Sequence, residues 1–414
     1  MLETKLCRAF QAGMKLSMHV LPWRMPETLE GPGAIKQLPN FMKNKGVKEA
    51  LIVTDRNLMQ LNLLEEFLQV MESEHIPYVI YDGVKPNPTD KNVEDAVSLY
   101  QKHKCNAIVA VGGGSPMDCA KAVAARIARP DKSVKQLQGV LRVMRRVPAI
   151  YAVPTTTGTG SETTIAAVVT IEKDHHKASI NDNSIMPKYA VLDPELTLGV
   201  PPYITATTGM DALCHAVEAY TNNTYNTKLE RELSCKAVKL IYDNLYDAYQ
   251  DGSNLYARQN MQEGAFYAGR AFSRGCVGYV HAIGHALGGL YGTAHGVAMA
   301  SLLPLVMRQY GAAVHKPLAE LCDVCGIQVA ENTEEAKAEA FIRWMEDMKA
   351  RMGIPVYPPT LEPQDIDWIA GKAHREANPL YPVPVVWSKA DFKLFLQKCF
   401  YEKQFQEIRE NSGV

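Results

Sequence analysis

Asp211-Ala-Leu-Cys-His215, then His281-Ala-Ile-Gly-His285 followed by His295, are the residues of this chain best equipped for chemistry. Each pair is spaced i,i+4, so on a helix both side chains project from one face, one turn apart. One helix can then offer a carboxylate and an imidazole to a single cation, and a second helix can add one or two imidazoles. A carboxylate with three imidazoles suits a borderline divalent ion such as Fe(II), Zn(II), Co(II) or Ni(II), whereas Ca and Mg prefer oxygen shells. Any one of these histidines alone reads equally well as a capping or hydrogen-bonded core residue. As a set, embedded among small apolar residues where a free charge is costly, they read as a metal site. Spacing leaves open which of the five are ligands.

A second signal is for anions. Ala107-Ile-Val-Ala-Val111 is a β-type run entering Gly112-Gly-Gly-Ser115, with a helix expected from about Pro116, a good first-turn residue. Backbone N–H groups and a helix N-terminus would there face a negative ligand. The motif is neither G-x-G-x-x-G nor a Walker loop, and alone it serves as well for a plain tight turn. A second turn shifts the balance: Thr155, Thr156, Thr157, Thr159 and Ser161 set five hydroxyls beside two glycines, after the run Ala149–Val153. Ligands of open α/β sheets bind at such strand ends, so one large phosphate-containing cofactor spanning both turns is the economical reading. Asp55, ending the run Ala50–Thr54, suits an acceptor for ribose hydroxyls that would repel a 2′-phosphate. It suits equally the N-cap of the next helix.

The elements that must hold these residues divide in two. The first half alternates β-type runs (Ala50–Thr54, Pro77–Tyr81, Ala107–Val111, Ala149–Val153) with amphipathic stretches, the pattern of a parallel α/β sheet. From about Thr205 the text is helical throughout. The Pro-rich joint Leu198–Pro202 marks the expected boundary, giving an α/β dinucleotide-binding domain over 1–202 and an all-helical metal-binding domain over 203–414. A net charge of −1 and the lack of a basic stripe exclude an electrostatic case for nucleic acid. No apolar run is read as approaching the roughly 20 residues of a membrane span. Leu6, Phe10 and Met14 sit at helical spacing and predict a short amphipathic arm. Nine scattered cysteines, with Cys322-Asp-Val-Cys325 the one CxxC, form no disulfide framework and point to a reducing cytoplasm.

Taken together, Gly112-Gly-Gly-Ser-Pro-Met-Asp118 with Lys121, Pro154-Thr-Thr-Thr-Gly-Thr-Gly-Ser-Glu162, Gly209-Met-Asp-Ala-Leu-Cys-His-Ala-Val-Glu218, and His281 to His295-Gly296 resemble the iron-containing (group III) alcohol dehydrogenase family. The resemblance runs from about Pro26 to the C-terminal region. It implies metal ligands at Asp211, His215, His281 and His295, with His285 the remaining imidazole near substrate, and the active site in a cleft between the domains. On the cofactor side it implies Gly113, Gly114 and Ser115 at the pyrophosphate with Asp118 closing the motif, Thr155, Thr156 and Thr159 toward the nicotinamide, Lys177 as a cofactor-binding lysine and Asn87 in an adenine-side loop. Asp55 stands where an acid goes with NAD and a glycine with NADP, so NAD is expected, with NADP as the alternative. The metal would be Fe(II), with Zn(II) the alternative, and a homodimer or larger homo-oligomer is the family default. The chain departs from the family's Asn-Pro-Arg segment and the cysteine four residues before it: His374 takes the cysteine position and Leu380 replaces the arginine. That departure puts the substrate in doubt, not the reaction.

The expected reaction is hydride transfer between an alcohol at the metal and NAD, with the metal lowering the hydroxyl pKa or polarising an aldehyde. His285 would relay the proton, or else orient a ligand. Glu218 and Glu162 are expected to be structural, one on the ligand helix and one capping after the turn. No G-x-S-x-G elbow is present. Competing readings are a polyol or lactaldehyde-type reductase of the same family, a redox-neutral relative on the same fold, a metal-dependent hydrolase of a phosphorylated substrate, and a non-catalytic binding protein.

Overall fold

A computed structural model describes residues 2–21, 23–174, 176–222 and 224–412. The chain clusters into two compact units, one of Leu21–Val200 with Asp251–Ser273, the other of Met1–Val20, Pro201–Gln250 and Arg274–Val414.

Among the described residues of the first unit nine strands form two sheets: β1 (Glu27–Glu30), β2 (Ala50–Val53), β3 (Tyr78–Tyr81), β4 (Ala107–Gly112), β5 (Gly139–Val140), β6 (Ala149–Pro154), β7 (Ala166–Ile171), β8 (His176–Asn181) and β9 (Tyr189–Leu192). The larger sheet has the order β1-β9-β6-β4-β2-β3, with every pairing parallel. Its inner strands are apolar on both faces because helices cover both. Leu51, Val53, Ile108 and Ala110 point into one core, and Ala50, Ile52, Ala107 and Val109 into the other. The chain leaves β2 toward β3 but leaves β4 toward β6, so the order reverses between β2 and β4. A crevice forms at such a reversal, outside the carboxyl ends of the strands. Asp55 follows β2 there, and the glycine turn follows β4. A smaller sheet, β5-β8-β7, flanks these elements.

The second unit is helical. Its site is built on the helices Pro202–Thr221, Tyr279–Tyr291, His295–Tyr310 and Ile366–Ala377. The run His295–Cys325 has the length and apolarity of a membrane span, contrary to the expectation that no run approaches it. It is broken by a 3-10 turn at Gly311–Val314, and 67% of its most apolar window is buried. It is core helix.

The units differ from a single cut at residue 202 in two places. Residues 251–273 join the α/β unit, because the helix Leu255–Gly275 packs at the carboxyl end of its sheet. Gln262 donates to the carbonyl of Pro154 (3.2 Å), Ser273 donates to that of Thr163 (3.2 Å), and a Cβ on Gly269 would stand 2.5 Å from the Gly160 carbonyl oxygen. The N-terminal helix Leu2–Val20 joins the helical unit, where Arg8 and Gln11 hydrogen-bond the backbone of 379–384. Its docked face is not the expected apolar stripe: Leu6 is 62% and Phe10 44% exposed, while Cys7 and Gln11 are buried. Backbone carbonyls of the 379–384 segment need donors, and the polar face supplies them.

Candidate functional site

Asp211 and His215, one turn apart, and Glu218, three residues further on, share a face of the helix Pro202–Thr221 and are all buried. His281 is buried near the start of Tyr279–Tyr291, a helix that ends at Gly292 in the left-handed region (φ 70°). The chain then turns at once into His295, the first residue of the next helix. Gly296 makes that approach feasible: a Cβ there would lie 2.6 Å from the Thr207 carbonyl oxygen.

Asp211, His215, His281 and His295 are thereby brought together, one ligand atom from each lying within 4.8 Å of the others. Nε2 atoms of His215, His281 and His295 stand 4.0, 3.7 and 3.4 Å from Asp211 Oδ1. His215 Nε2 and His281 Nε2 are 3.0 Å apart. Three of the four are buried, and His295 is 42% exposed, which opens the group on one side. Burial pushes His215 down to about 3 and holds His281 well below its ordinary value. Burial alone would raise Asp211, but the surrounding imidazoles, His215 foremost, hold it well below the usual carboxylate range. His215 and His281 are thus neutral beside the Asp211 carboxylate, the protonation states a cation requires. Among the described residues Asp211 Oδ1 is buried without a hydrogen-bond partner, a costly state that a cation at the centre would relieve. The donor set fits a borderline divalent metal.

Glu218, expected to be structural, does more than sit on the ligand helix. Its Oε2 lies 2.6 Å from His281 Nδ1, and its Oε1 accepts from the Val280 N–H (2.8 Å). Burial raises it to about 7. This is the carboxylate–histidine arrangement that aims the other ring nitrogen at a metal. The signal was present in the sequence: Glu218 follows His215 by three on one helix face. Cys214 Sγ is 3.8 Å from the same Nδ1, but burial raises its thiol pKa well above the ordinary value, so it is a poor ligand.

His285 stands beside the four, its ring stacked on that of His295 (centroids 5.4 Å apart, 19° between planes). Its Nδ1 lies 2.7 Å from Glu376 Oε1, a partner no motif had marked. His374, at the departure from the family pattern, pairs with Glu3 of the N-terminal helix, and the Leu380 carbonyl accepts from Tyr225.

In the α/β unit β4 and β6 pair as neighbours, Gly112 opposite Pro154, so the two expected turns lie side by side. A Cβ on Gly113 would stand 3.3 Å from Thr156 Oγ1, and one on Gly114 3.0 Å from Thr159 Cγ2. The Asn87 N–H donates to Ser115 Oγ (3.3 Å), and Lys177 donates to Asn87 Oδ1 (2.9 Å), so Asn87, Ser115 and Lys177 form one chain of contacts. Thr155 is buried, and its N–H donates to the Gly112 carbonyl. Asp118 is turned inward, accepting from Ser161 Oγ (3.1 Å) and the Val168 N–H (3.0 Å), and so ties the two turns together. Lys121 does the same from below, donating to Ser161, Thr164 and the Ala166 carbonyl, with burial pushing it down to about 8. Glu162 is buried in the 3-10 turn Ser161–Thr163, and burial raises it to about 7. Asp55 Oδ1 caps the helix Arg56–Gln60 through the Asn57 and Leu58 N–H groups (3.0 and 3.1 Å), and the cap engages only that one oxygen.

Comparison with known proteins gives two adjoining matches: the family described as iron-containing alcohol dehydrogenase over residues 26–194, and the C-terminal domain of the Fe-containing alcohol dehydrogenase family over 205–398. The chain is 38% identical to a 1,3-propanediol dehydrogenase of Citrobacter freundii, over 84% of this chain and 90% of that protein. A crystal structure of 1,3-propanediol oxidoreductase superposes with a TM-score of 0.88 at 33% identity, covering 92% of this chain and all (100%) of the other. A sulfoacetaldehyde reductase from Bifidobacterium kashiwanohense, solved with NAD+, superposes with a TM-score of 0.80 at 26% identity, over 92% and 98% of the two chains.

Proposed function

The chain belongs to the iron-containing alcohol dehydrogenase family, and from that premise we propose how its residues share the reaction. The protein is a metal-dependent, NAD(P)-linked oxidoreductase acting on CH–OH groups and, in reverse, on aldehydes. The observation that carries the assignment of roles is the convergence of Asp211, His215, His281 and His295 on one point.

Those four residues would hold the metal, which supplies Lewis acidity toward an alcohol or carbonyl oxygen. Glu218 aims His281. His285 takes a proton from the substrate hydroxyl in oxidation, returns it in reduction, and exchanges it with solvent through its exposed edge. Backbone N–H groups of Gly113, Gly114 and Ser115 face the pyrophosphate, while Asn87 and Lys177 flank it. Thr155 supports the second turn through its backbone, and Thr156 and Thr159 present hydroxyls to the nicotinamide. Asp118 serves through the turn it ties.

Iron is favoured by the family and zinc is equally compatible with the donors. NAD is favoured because Asp55 keeps one carboxylate oxygen outside its cap. The 1,3-propanediol relative supports a short diol or hydroxyaldehyde as substrate, and a lactaldehyde-type substrate is the second choice. Nine free cysteines support a reducing compartment, and the homodimer rests on the resemblance alone.

The test is anaerobic oxidation of NADH and of NADPH, followed by the loss of reduced-nicotinamide absorbance. Protein reconstituted with Fe(II) or Zn(II) is assayed against short aldehydes, hydroxyaldehydes and ketones. Metal-dependent NADH oxidation with a hydroxyaldehyde leading the panel is expected, and Asp211→Ala or His281→Ala should fold yet lose metal and turnover. Full activity in either variant would overturn the ligand assignment. Silence with every carbonyl, despite bound metal and cofactor, would overturn the substrate reading.

A further inference from the structure

We propose that Glu376, backed by Tyr381, is a positioning residue that sets the ring orientation and tautomer of His285, an inference that rests on the relay role given to His285 above. A neutral imidazole carries one N–H and one bare nitrogen, and which is which follows from its hydrogen bonds. Glu376 Oε1 lies 2.7 Å from His285 Nδ1, and a carboxylate can only accept. The proton must then sit on Nδ1, leaving Nε2 bare as the acceptor a relay needs. His285 is 32% exposed, and this bond, the stack on His295 and an edge contact with the His281 ring hold it in place.

Glu376 is held in turn. Tyr381 Oη donates to the same Oε1 (2.9 Å), so that oxygen is held by a second donor. The backbone carrying Tyr381 is clasped by the N-terminal helix: Gln11 Nε2 donates to the Pro379 and Tyr381 carbonyls (3.1 and 2.8 Å), and Arg8 to those of Val383 and Pro384 (2.8 and 2.9 Å). That helix lies before the residues the family matches cover, which begin at 26, whereas Glu376 and Tyr381 lie within them. The clasp accounts for a polar helix face buried against an otherwise irregular segment.

The experiment is a double-mutant cycle on metal-loaded protein, with metal content measured for every variant, using His285→Ala, Glu376→Ala and the pair. Glu376→Ala should lower kcat about tenfold, a part of the roughly 10²–10⁴ that a proton relay contributes. KM should stay close to wild type. Glu376→Gln should recover most of the loss, since an amide oxygen still accepts from Nδ1–H. In the His285→Ala background the loss of Glu376 should cost nothing more. A second readout needs no turnover: nitrogen-15 spectra of histidine-labelled, metal-free protein should show His285 protonated on Nδ1, and that preference should disappear in Glu376→Ala. An Nε2–H tautomer in the wild type, or an undiminished Glu376→Ala loss without His285, would overturn the proposal. Full turnover in His285→Ala would instead remove the relay reading, while the spectra would still decide the positioning.

Discussion

Glu218 Oε2 sits 2.6 Å from His281 Nδ1, while His281 Nε2 faces Asp211 and His215. One carboxylate thus turns a helix histidine into a directed ligand. Both partners are buried, so water cannot substitute for either.

Removing that acceptor should therefore weaken metal binding more than it weakens the fold. Glu218→Ala is expected to lower metal affinity by about 10–100-fold. Glu218→Gln should lose less, because its amide oxygen can still accept from Nδ1–H. Chelator competition against Fe(II) or Zn(II) reads both. A wild-type affinity in Glu218→Ala would show that His281 needs no orienting partner.

Gly296 should tolerate no side chain. Its Cβ would meet the backbone of Thr207 at 2.6 Å, and backbone cannot swing aside as a side-chain tip can. Gly296→Ala must then push His295 away from Asp211, and overpacking of this kind costs about 1–3 kcal/mol. Lower denaturant resistance together with reduced metal occupancy is expected. Normal occupancy would mean that the helix start can shift without moving its ligand.

At Asp55 the cofactor preference can be tested without confusion from the cap. Replacing a capping Asp by Gly costs only a few tenths of a kcal/mol. Asp55→Gly should therefore remain folded while using NADPH better relative to NADH. An unchanged ratio of kcat/KM values would assign Asp55 to the cap alone.

Lys349 offers a pH test away from both sites. It is buried, it donates to the Ser301 and Val356 carbonyls, and burial pushes it down to about 8. Between that value and its ordinary 10.5 the unfolded chain holds a proton that the folded chain releases. The penalty is thus fully present below about pH 8 and fades as pH rises toward 10.5. Across that window the wild type should gain on Lys349→Met, by an amount on the order of 3 kcal/mol. Denaturant melts of the two proteins from pH 7.5 upward should show the gap moving in this direction, and parallel curves would refute it.

What was legible in the sequence was whatever repeats locally. Apolar runs at Ala50–Val53 and Ala107–Gly112 announce strands buried on both faces, because a parallel sheet covered by helices leaves them no polar side. The i,i+4 pairs announce polar side chains gathered on one helix face, because helical periodicity is a property of the chain itself, but they do not say that His285 stands outside the ligand set. Glu27-Thr-Leu-Glu30 announces nothing, since an edge strand with both ends exposed has no pattern to show. Three further relationships stayed silent. These are the exchange of 251–273 into the α/β unit, the polar face of the N-terminal helix seated on 379–384, and the meeting of His285 with Glu376, 91 residues on. Residue types and periods pointed to a metal site on two helices, and the motifs' resemblance to a family carried the reaction class. Only packing decided which side chains orient those ligands, because contacts between distant segments depend on shapes and donors that no local repeat encodes.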